Sequence, residues 1–172
     1  MAKVLIPGSF DPLHNGHVDV VDQALELFDE VVFGVLVNFS KPSGLFTPDE
    51  RVGLAIDTFA DRSEITVGAF EGLVVDVASA VGADFIVKGL RTAADYDIEQ
   101  QMAHMNRSAS GIRTVFVPCN PAFSFVSSRF IREIASHGGD VDHLVPAPVS
   151  AALTDRFAGR GSEGRPGMTT TS

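Results

Sequence analysis

Short apolar runs alternate with longer amphipathic segments along the chain. The runs are three to seven residues long and rich in Val, Ile and Phe, a pattern typical of strands buried on both faces of a parallel sheet. Five strands are predicted, over residues 3–7, 31–37, 65–67, 84–88 and 114–117.

The segments between these runs carry apolar residues at every third or fourth position, which predicts helices with one buried face. At the start of one segment, Thr47, Pro48 and Glu50 have the spacing of a capping box with proline in the first turn. Six helices are predicted, over residues 17–28, 47–60, 73–81, 94–107, 127–137 and 146–157.

This alternation indicates an α/β fold, a doubly wound five-stranded parallel sheet with helices on both faces. In such sheets, ligands bind beyond the carboxyl ends of the strands. One domain is expected over residues 1–158. Residues 159–172 are mainly Gly, Ser, Thr and Pro, so we expect a disordered C-terminal tail whose deletion leaves activity unchanged.

The composition excludes several classes of protein. Asp and Glu number 22 against 13 Lys and Arg, and a formal net charge of −9 disfavours a nucleic-acid partner. The single Cys119 excludes an internal disulfide and a cysteine metal cluster. No apolar run approaches the roughly 20 residues that span a bilayer, and the first residues lack the pattern of a signal peptide. We therefore expect a cytoplasmic protein with no membrane contact.

The loop after the first predicted strand contains the first candidate chemistry. It reads PGSFDPLHNGH and leads into the first helix. Glycines let a ligand approach the backbone, and a helix N-terminus attracts anions, so a phosphate site is expected here. The loop lacks the endings of a P-loop and of the dinucleotide glycine motif. His14 and His17 are three residues apart, so helical geometry would turn both imidazoles to the same side.

Only three lysines occur in the chain, and two of them lie at or beyond the carboxyl end of a predicted strand. Lys88 ends an apolar run and is followed by Arg91, while Lys41 lies in the loop after the second strand. A cation at the end of a buried strand needs solvent or an anion, because an unpaired buried charge is costly. Each residue alone could be a solvated loop charge. Together they predict a local positive pocket that suits a polyphosphate.

Two further features are less specific when taken alone. Residues 124–128 contain three serines and lead into the fifth helix, where serines are usually N-caps but could also bind phosphate oxygens. Glu99, inside the fourth helix, reads by itself as a solvated carboxylate. Both features indicate a phosphate site only in combination with the other loops that are expected at the same edge of the sheet.

Residues 8–12 (GSFDP) and 14–17 (HNGH) resemble the two-histidine signature of the nucleotidylyltransferase superfamily. That signature leaves several enzymes open, among them pantetheine-phosphate, nicotinamide-mononucleotide and glycerol-phosphate nucleotidylyltransferases. Further segments narrow the choice: KGLRT at 88–92, QMAHMNR at 101–107, SFVSS at 124–128 and GGDV at 138–141. With them the chain resembles bacterial phosphopantetheine adenylyltransferases from about residue 3 to residue 157.

This resemblance implies a Rossmann-like nucleotidylyltransferase fold and a reaction. ATP and 4′-phosphopantetheine would give dephospho-CoA and pyrophosphate, reversibly and with Mg²⁺, in coenzyme A biosynthesis. The substrate phosphate would attack the α-phosphorus of ATP directly, which requires positioning and charge neutralisation more than a protein nucleophile. The resemblance also implies a homohexamer, but it identifies no metal ligands. Feedback by coenzyme A is expected because product and substrate share the pantetheine arm.

The resemblance further implies roles for individual residues. The expected catalytic residues are His17, which would donate to the α-phosphate in the transition state, with His14, Lys41 and Arg91. The expected 4′-phosphopantetheine site comprises Ser9, Lys41, Val74 and Lys88. The expected ATP site comprises Ser9, Phe10, His17, Gly89, Leu90, Arg91, Glu99, Phe123, Ser124, Phe125, Val126, Ser127, Ser128 and Arg129.

Three positions depart from the family pattern. Ile98 stands where an aromatic residue is usual, Phe123 where Trp or Tyr is common, and Arg129 where a third serine often occurs. Arg129 is expected either to add a cation beside the phosphates or to pair with Glu133 one helical turn on. Cys119 is expected to be an inert apolar residue, since nothing local argues for a lowered thiol pKa.

Two other functions stay open at this point: an adenylyltransferase for another phosphorylated acceptor such as nicotinamide mononucleotide, and a non-catalytic nucleotide-binding module. A nicotinamide acceptor would need a stacking surface, whereas Lys41, Val74 and Lys88 suit a terminal phosphate on a flexible arm. Both histidines are present, which argues against a module that has lost turnover.

Overall fold

A computed structural model describes residues 1–37 and 44–158. It confirms the predicted elements, with the third strand and the fourth helix each extending three residues beyond the predicted end. None of the helices in the described ranges has the length and hydrophobicity needed to cross a membrane. The strands are β1 (Lys3–Gly8), β2 (Glu30–Leu36), β3 (Ile65–Phe70), β4 (Phe85–Leu90) and β5 (Arg113–Pro118). The helices are α1 (Asn15–Leu27), α2 (Pro48–Thr58), α3 (Val74–Ala80), α4 (Ala93–Ser110), α5 (Ser128–Ser136) and α6 (Ala147–Phe157), with a 3₁₀ turn at Asp142–Leu144 before α6.

The five strands form one parallel sheet in the order β3-β2-β1-β4-β5. This is the doubly wound fold that the sequence predicts. The chain places β2 and β3 on one side of β1 and then crosses over to place β4 and β5 on the other side, so the switch point of the sheet lies between β1 and β4. The register of β1 with β2 covers six positions, but that of β1 with β4 covers only Val4 with Phe85 and Leu5 with Ile86. The two strands therefore diverge toward their carboxyl ends. A crevice at such a switch point is the usual ligand site of an open α/β sheet.

The sheet separates two hydrophobic cores. Val4 and Ile6 of β1 lie in the larger core with apolar residues of α1, α2, α5 and α6, while Leu5 lies in the smaller core with residues of α3. This alternation is the two-residue period of a strand. The prediction that every strand is buried on both faces is wrong for β3 and β5, which are the sheet edges. Within them only Val117 is buried, because an edge strand has a neighbour on one side only.

The start of α2 confirms the predicted capping box. The Thr47 hydroxyl accepts a hydrogen bond from the Glu50 backbone N–H at 3.3 Å, and the Glu50 carboxylate accepts one from the Thr47 N–H at 2.7 Å. Two N–H groups that would otherwise lack partners at the helix start are satisfied in this way.

Candidate active site

A cavity of about 330 Å³ opens where β1 and β4 diverge. Its floor is formed by the ends of these two strands. Its walls come from the loops after β1, β4 and β5, the N-terminal half of α1, the start of α5 and one residue of α4. Three of the segments that the sequence singles out for phosphate chemistry, namely the loop after β1, the end of β4 with Arg91 and the start of α5, therefore meet at one edge of the sheet. Ten of the predicted site residues line the cavity, namely Ser9, Phe10, His14, His17, Lys88, Gly89, Arg91, Glu99, Ser127 and Ser128.

Other predicted site residues lie elsewhere or beyond the described ranges. Val74, at the start of α3, packs against the smaller hydrophobic core, and its predicted place in a pantetheine channel stays a prediction. Lys41 falls within residues 38–43, outside the described residues. The predicted ATP-site residues that do not line the cavity are Leu90, Phe123, Ser124, Phe125, Val126 and Arg129.

Arg129 is exposed, and its guanidinium carbon lies 5.9 Å from the ring centroid of Phe130. Within the described part of the chain it forms no ion pair with Glu133, so that predicted helical pair is wrong. The neighbouring aromatic face offers the cation an alternative contact.

His14 and His17 face the same side, as their spacing predicts. Helix α1 begins at Asn15, and the two imidazole rings are stacked with their centroids 3.6 Å apart. Gly16 separates them in the sequence, and the lack of a side chain matters there because a Cβ at that position would approach the His14 ring to 3.1 Å. The His14 backbone N–H donates to Nδ1 of His17 at 3.2 Å. In a neutral ring the proton of His17 must therefore be on Nε2.

Both imidazoles have lowered pKa values. Burial, followed by the positive charge of Arg91, lowers the pKa of His14 from 6.5 to about 4. Burial lowers the pKa of His17 well below its usual value, and His14, Arg91 and Lys88 lower it further. The Phe10 ring contributes to this enclosure, with its edge-to-face contact to His17 at 4.9 Å. Both histidines are consequently neutral at neutral pH.

The cations of the cavity are held by carboxylates of α4. Lys88 Nζ lies 3.0 Å from an oxygen of Glu99, and Arg91 Nε lies 3.2 Å from an oxygen of Asp95. Arg91 also donates through Nη1 to the backbone oxygen of Val126 at 3.2 Å, which ties the loop after β4 to the segment before α5. Glu99, which alone reads as a solvated carboxylate, is thus a partner of the positive pocket.

The serines that begin α5 have intramolecular partners. The Ser127 hydroxyl caps the helix by accepting from the Phe130 N–H at 3.3 Å, as the usual role of such serines predicts. The Ser128 hydroxyl donates to the backbone oxygen of Pro12 at 2.8 Å. Both line the cavity, and Ser128 fixes the loop after β1 against the start of α5.

Part of the cavity wall was not predicted from the sequence. Val20 lines it one helical turn beyond His17, a spacing that was visible in the sequence, and Cys119 lines it from the end of β5. Burial raises the pKa of the Cys119 thiol, and the charges of Asp19 and Asp95 raise it further against the opposing effect of Arg91. The thiol therefore stays protonated at neutral pH, as the expected inert role requires.

No group of three or more His, Cys, Asp or Glu side chains in residues 1–37 and 44–158 could hold a metal ion. The cavity carboxylate Glu99 is already paired with Lys88. The arrangement suits anion binding instead, because two cations, two neutral imidazoles and the N-terminal turns of α1 and α5 converge on it.

Comparison with known proteins identifies the family. A family model described as cytidylyltransferase-like matches residues 5–134. The phosphopantetheine adenylyltransferase of Streptomyces coelicolor is 46% identical over 160 residues, which cover 93% of this chain and 100% of that protein. Its counterparts from Cutibacterium acnes and Frankia alni are both 47% identical to this chain. The matches cover 90% and 91% of this chain, respectively, and 98% of each of those proteins. The chain therefore belongs to the cytidylyltransferase-like family and, within it, to the phosphopantetheine adenylyltransferases.

Proposed function

We propose that this chain transfers the adenylyl group of ATP to 4′-phosphopantetheine, giving dephospho-CoA and pyrophosphate. The observation that carries the proposal is the convergence of His17, Lys88 and Arg91 on one cavity, at the switch point of a sheet in a member of this family. His17 lies in the first turn of α1, Lys88 in β4 and Arg91 in the loop after β4, so distant parts of the sequence supply the groups that meet in the cavity.

The proposed reaction is a direct displacement. An oxygen of the 4′-phosphate forms a bond to the α-phosphorus of ATP, and the bond from that phosphorus to the oxygen bridging to the β-phosphorus breaks. Pyrophosphate leaves with the electron pair, and no residue of the chain becomes covalently attached. The protonated thiol of Cys119 in the cavity wall is consistent with this, because a thiol is a much poorer nucleophile than the corresponding thiolate.

His17 is proposed to act as a neutral hydrogen-bond donor. With Nδ1 occupied by the His14 N–H, the Nε2–H of the ring is the group that can donate to an α-phosphate oxygen. Negative charge on that oxygen grows as the new bond forms, so the hydrogen bond strengthens in the transition state. The stacked ring of His14 and the edge of Phe10 hold the donor in place.

Lys88 and Arg91 are proposed to neutralise the phosphates that meet in the cavity, with Lys88 and Lys41 on the 4′-phosphate. The chain carries a formal net charge of −9, so attraction of two polyanionic substrates has to come from this local cluster. Helix α1 is thirteen residues long, and its N-terminus adds backbone N–H groups and a favourable dipole. Phosphate would compete with Glu99 for Lys88, which is paired at 3.0 Å.

Mg²⁺ is proposed to accompany ATP. The described residues offer no carboxylate cage for it, and Mg²⁺ commonly keeps several waters and binds mainly through substrate phosphates. When bound, the ion would neutralise phosphate charge, and no protein ligand is assigned to it.

The test is pyrophosphate release from ATP and Mg²⁺ with three acceptor conditions in parallel: 4′-phosphopantetheine, nicotinamide mononucleotide and no acceptor. The proposal expects release with 4′-phosphopantetheine only. Release with nicotinamide mononucleotide alone would favour a different acceptor class, and release with neither would favour a nucleotide-binding module. Either result would overturn the proposal.

We also propose a cytoplasmic homohexamer that is subject to feedback by coenzyme A. Assembly is supported by α4, which has no buried residue in the single chain and exposes an apolar stripe of Ile98, Met102 and Met105 at helical spacing. Feedback is supported by the chemistry, since coenzyme A shares the pantetheine arm of the substrate. Light scattering should give six times the 18.3 kDa chain mass, and added coenzyme A should raise the KM for 4′-phosphopantetheine.

A further inference from the structure

Asp11 is a buried carboxylate of the loop after β1, whose residues Ser9 and Phe10 line the cavity. It is 5% exposed, and its two oxygens accept hydrogen bonds from consecutive backbone N–H groups, Leu45 at 2.8 Å and Phe46 at 2.9 Å. These residues precede α2, so the carboxylate joins the loop after β1 to a segment more than thirty residues further along the chain. Nothing in the composition or the spacing of the motif identifies this burial.

Two guanidinium groups complete the surroundings of Asp11. Arg51 of α2, 7% exposed, places Nε 3.7 Å from one carboxylate oxygen, and Arg132 of α5 places Nη1 3.6 Å from the other. A buried charge is tolerated only when it is paired and hydrogen-bonded, and removing one partner leaves the other uncompensated. The three side chains therefore act as one unit that joins α2, α5 and the loop.

The same unit holds the backbone of the cavity loop. Arg51 donates to the Ser9 carbonyl oxygen at 3.3 Å and to the Phe46 carbonyl oxygen at 2.8 Å, and Arg132 donates to the carbonyl oxygen of Asp11. Ser9 and Phe10 line the cavity, and Phe10 has a positive φ of 47°, which a non-glycine residue adopts only when its surroundings enforce it. The loop needs external support to keep this shape.

Gly44 gives an independent view of the same packing. With a φ of +145° it passes directly over the ionic unit, and a Cβ built on it would lie 2.6 Å from Oδ2 of Asp11 and would also overlap the guanidinium of Arg51. Only glycine lets the backbone approach this closely.

We propose that, for the adenylyl transfer proposed above, Asp11 is a positioning residue: through Arg51 and Arg132 it sets where the Ser9–Phe10 segment presents itself to the phosphates. Asp11 does not line the cavity and touches no substrate in this role. It acts by holding the Ser9–Phe10 segment in the geometry that the transition state requires. Displacements of about 1 Å from such a geometry cost up to about 100-fold in rate.

The test compares Asp11→Asn and Gly44→Ala with a matched control, Val149→Ala, which removes buried apolar atoms from α6 away from the cavity. For each protein, kcat and KM are measured from pyrophosphate release, ATP affinity by titration calorimetry, and the folded fraction by thermal melting. We expect both site variants to lose at least about tenfold in kcat per folded molecule and in ATP affinity. The Val149 variant should melt earlier with kcat within roughly twofold of the wild type.

Wild-type kcat and ATP affinity in folded Asp11→Asn would overturn the proposal, as would equal losses in Val149→Ala. If Asp11→Asn does not fold, Gly44→Ala decides, since it perturbs the same unit without removing a charge. A wild-type protein that fails to use 4′-phosphopantetheine would refute the proposed function instead, and the ATP affinities of the same variants would still decide the role of Asp11.

Discussion

The backbone N–H of His14 donates to Nδ1 of His17 at 3.2 Å while the two rings stack at 3.6 Å. One residue thus selects the tautomer of the other and covers one face of its ring. The lowered pKa values keep both rings neutral, so the cavity offers an uncharged donor beside two cations. This arrangement stabilises charge on phosphate without a protein nucleophile.

Removing the His17 ring should impair turnover far more than binding. We expect His17→Ala to lower kcat by about 100-fold to 1,000-fold with little change in either KM, because the lost hydrogen bond is made mainly in the transition state. His104→Ala serves as the control, since His104 lies on the exposed surface of α4 outside the cavity. A His17→Ala enzyme with near-normal kcat and raised KM would assign the ring to ground-state binding.

The stability of the protein should depend on His14 in mildly acidic solution. Its pKa is lowered from 6.5 to about 4, so between these values the unfolded chain binds a proton that the folded chain does not. The free energy of unfolding should therefore be unaffected by this group above pH 6.5 and should fall as the pH is lowered toward 4. Between pH 7 and pH 5 the wild type should lose about 2 kcal/mol more than His14→Gln.

Urea unfolding of the two proteins at both pH values measures this difference, and the carboxylates common to both cancel in the comparison. Parallel loss of stability in wild type and variant would mean that His14 is protonated in the folded protein.

The fold, and the meeting of many of the candidate site residues at one edge of the sheet, could be predicted from the sequence. Spacing alone predicted that His14 and His17 share a side, because α1 begins immediately after His14. The cluster of Lys88 and Arg91 with these histidines followed from parallel strands, whose carboxyl ends share one edge. The edge position of β3 and β5 was not predictable in this way, since apolar runs do not reveal strand order.

Lys88 should contribute mainly to acceptor binding. We expect Lys88→Gln to raise the KM for 4′-phosphopantetheine about tenfold or more, the effect of losing one charge-assisted hydrogen bond, with a smaller change in the KM for ATP. The matched control is Lys3→Gln, which breaks a Lys–Glu pair of the same 3.0 Å length at the opposite end of β1. If both substitutions changed the KM for 4′-phosphopantetheine equally, the role of Lys88 would be refuted.

Cys119 should be dispensable although it lines the cavity. Direct displacement requires no protein nucleophile, and the raised thiol pKa leaves little thiolate at neutral pH. We expect Cys119→Ser to keep kcat within roughly threefold of the wild type, and iodoacetamide to react slowly at pH 7. Loss of activity by more than about 100-fold in Cys119→Ser would argue for a covalent intermediate.

The ionic unit of Asp11, Arg51 and Arg132 has no local sequence pattern that indicates it. Asp11 was visible only as one letter of a motif, and Arg51 and Arg132 lie in helices where a charged residue is normally solvated. Their meeting depends on how α2 and α5 pack against the loop after β1, a tertiary relationship without a local signal. The same holds for Glu99, whose pairing with Lys88 depends on the placement of α4.

Direct detection of dephospho-CoA is the most decisive measurement. The purified chain is incubated with ATP, Mg²⁺ and 4′-phosphopantetheine, and products are identified by mass spectrometry for the wild type and His17→Ala. We expect dephospho-CoA and pyrophosphate in equal amounts from the wild type and at least about 100-fold slower formation by the variant. Pyrophosphate without dephospho-CoA would contradict the proposed adenylyl transfer, and equal rates for the two proteins would contradict the proposed role of His17.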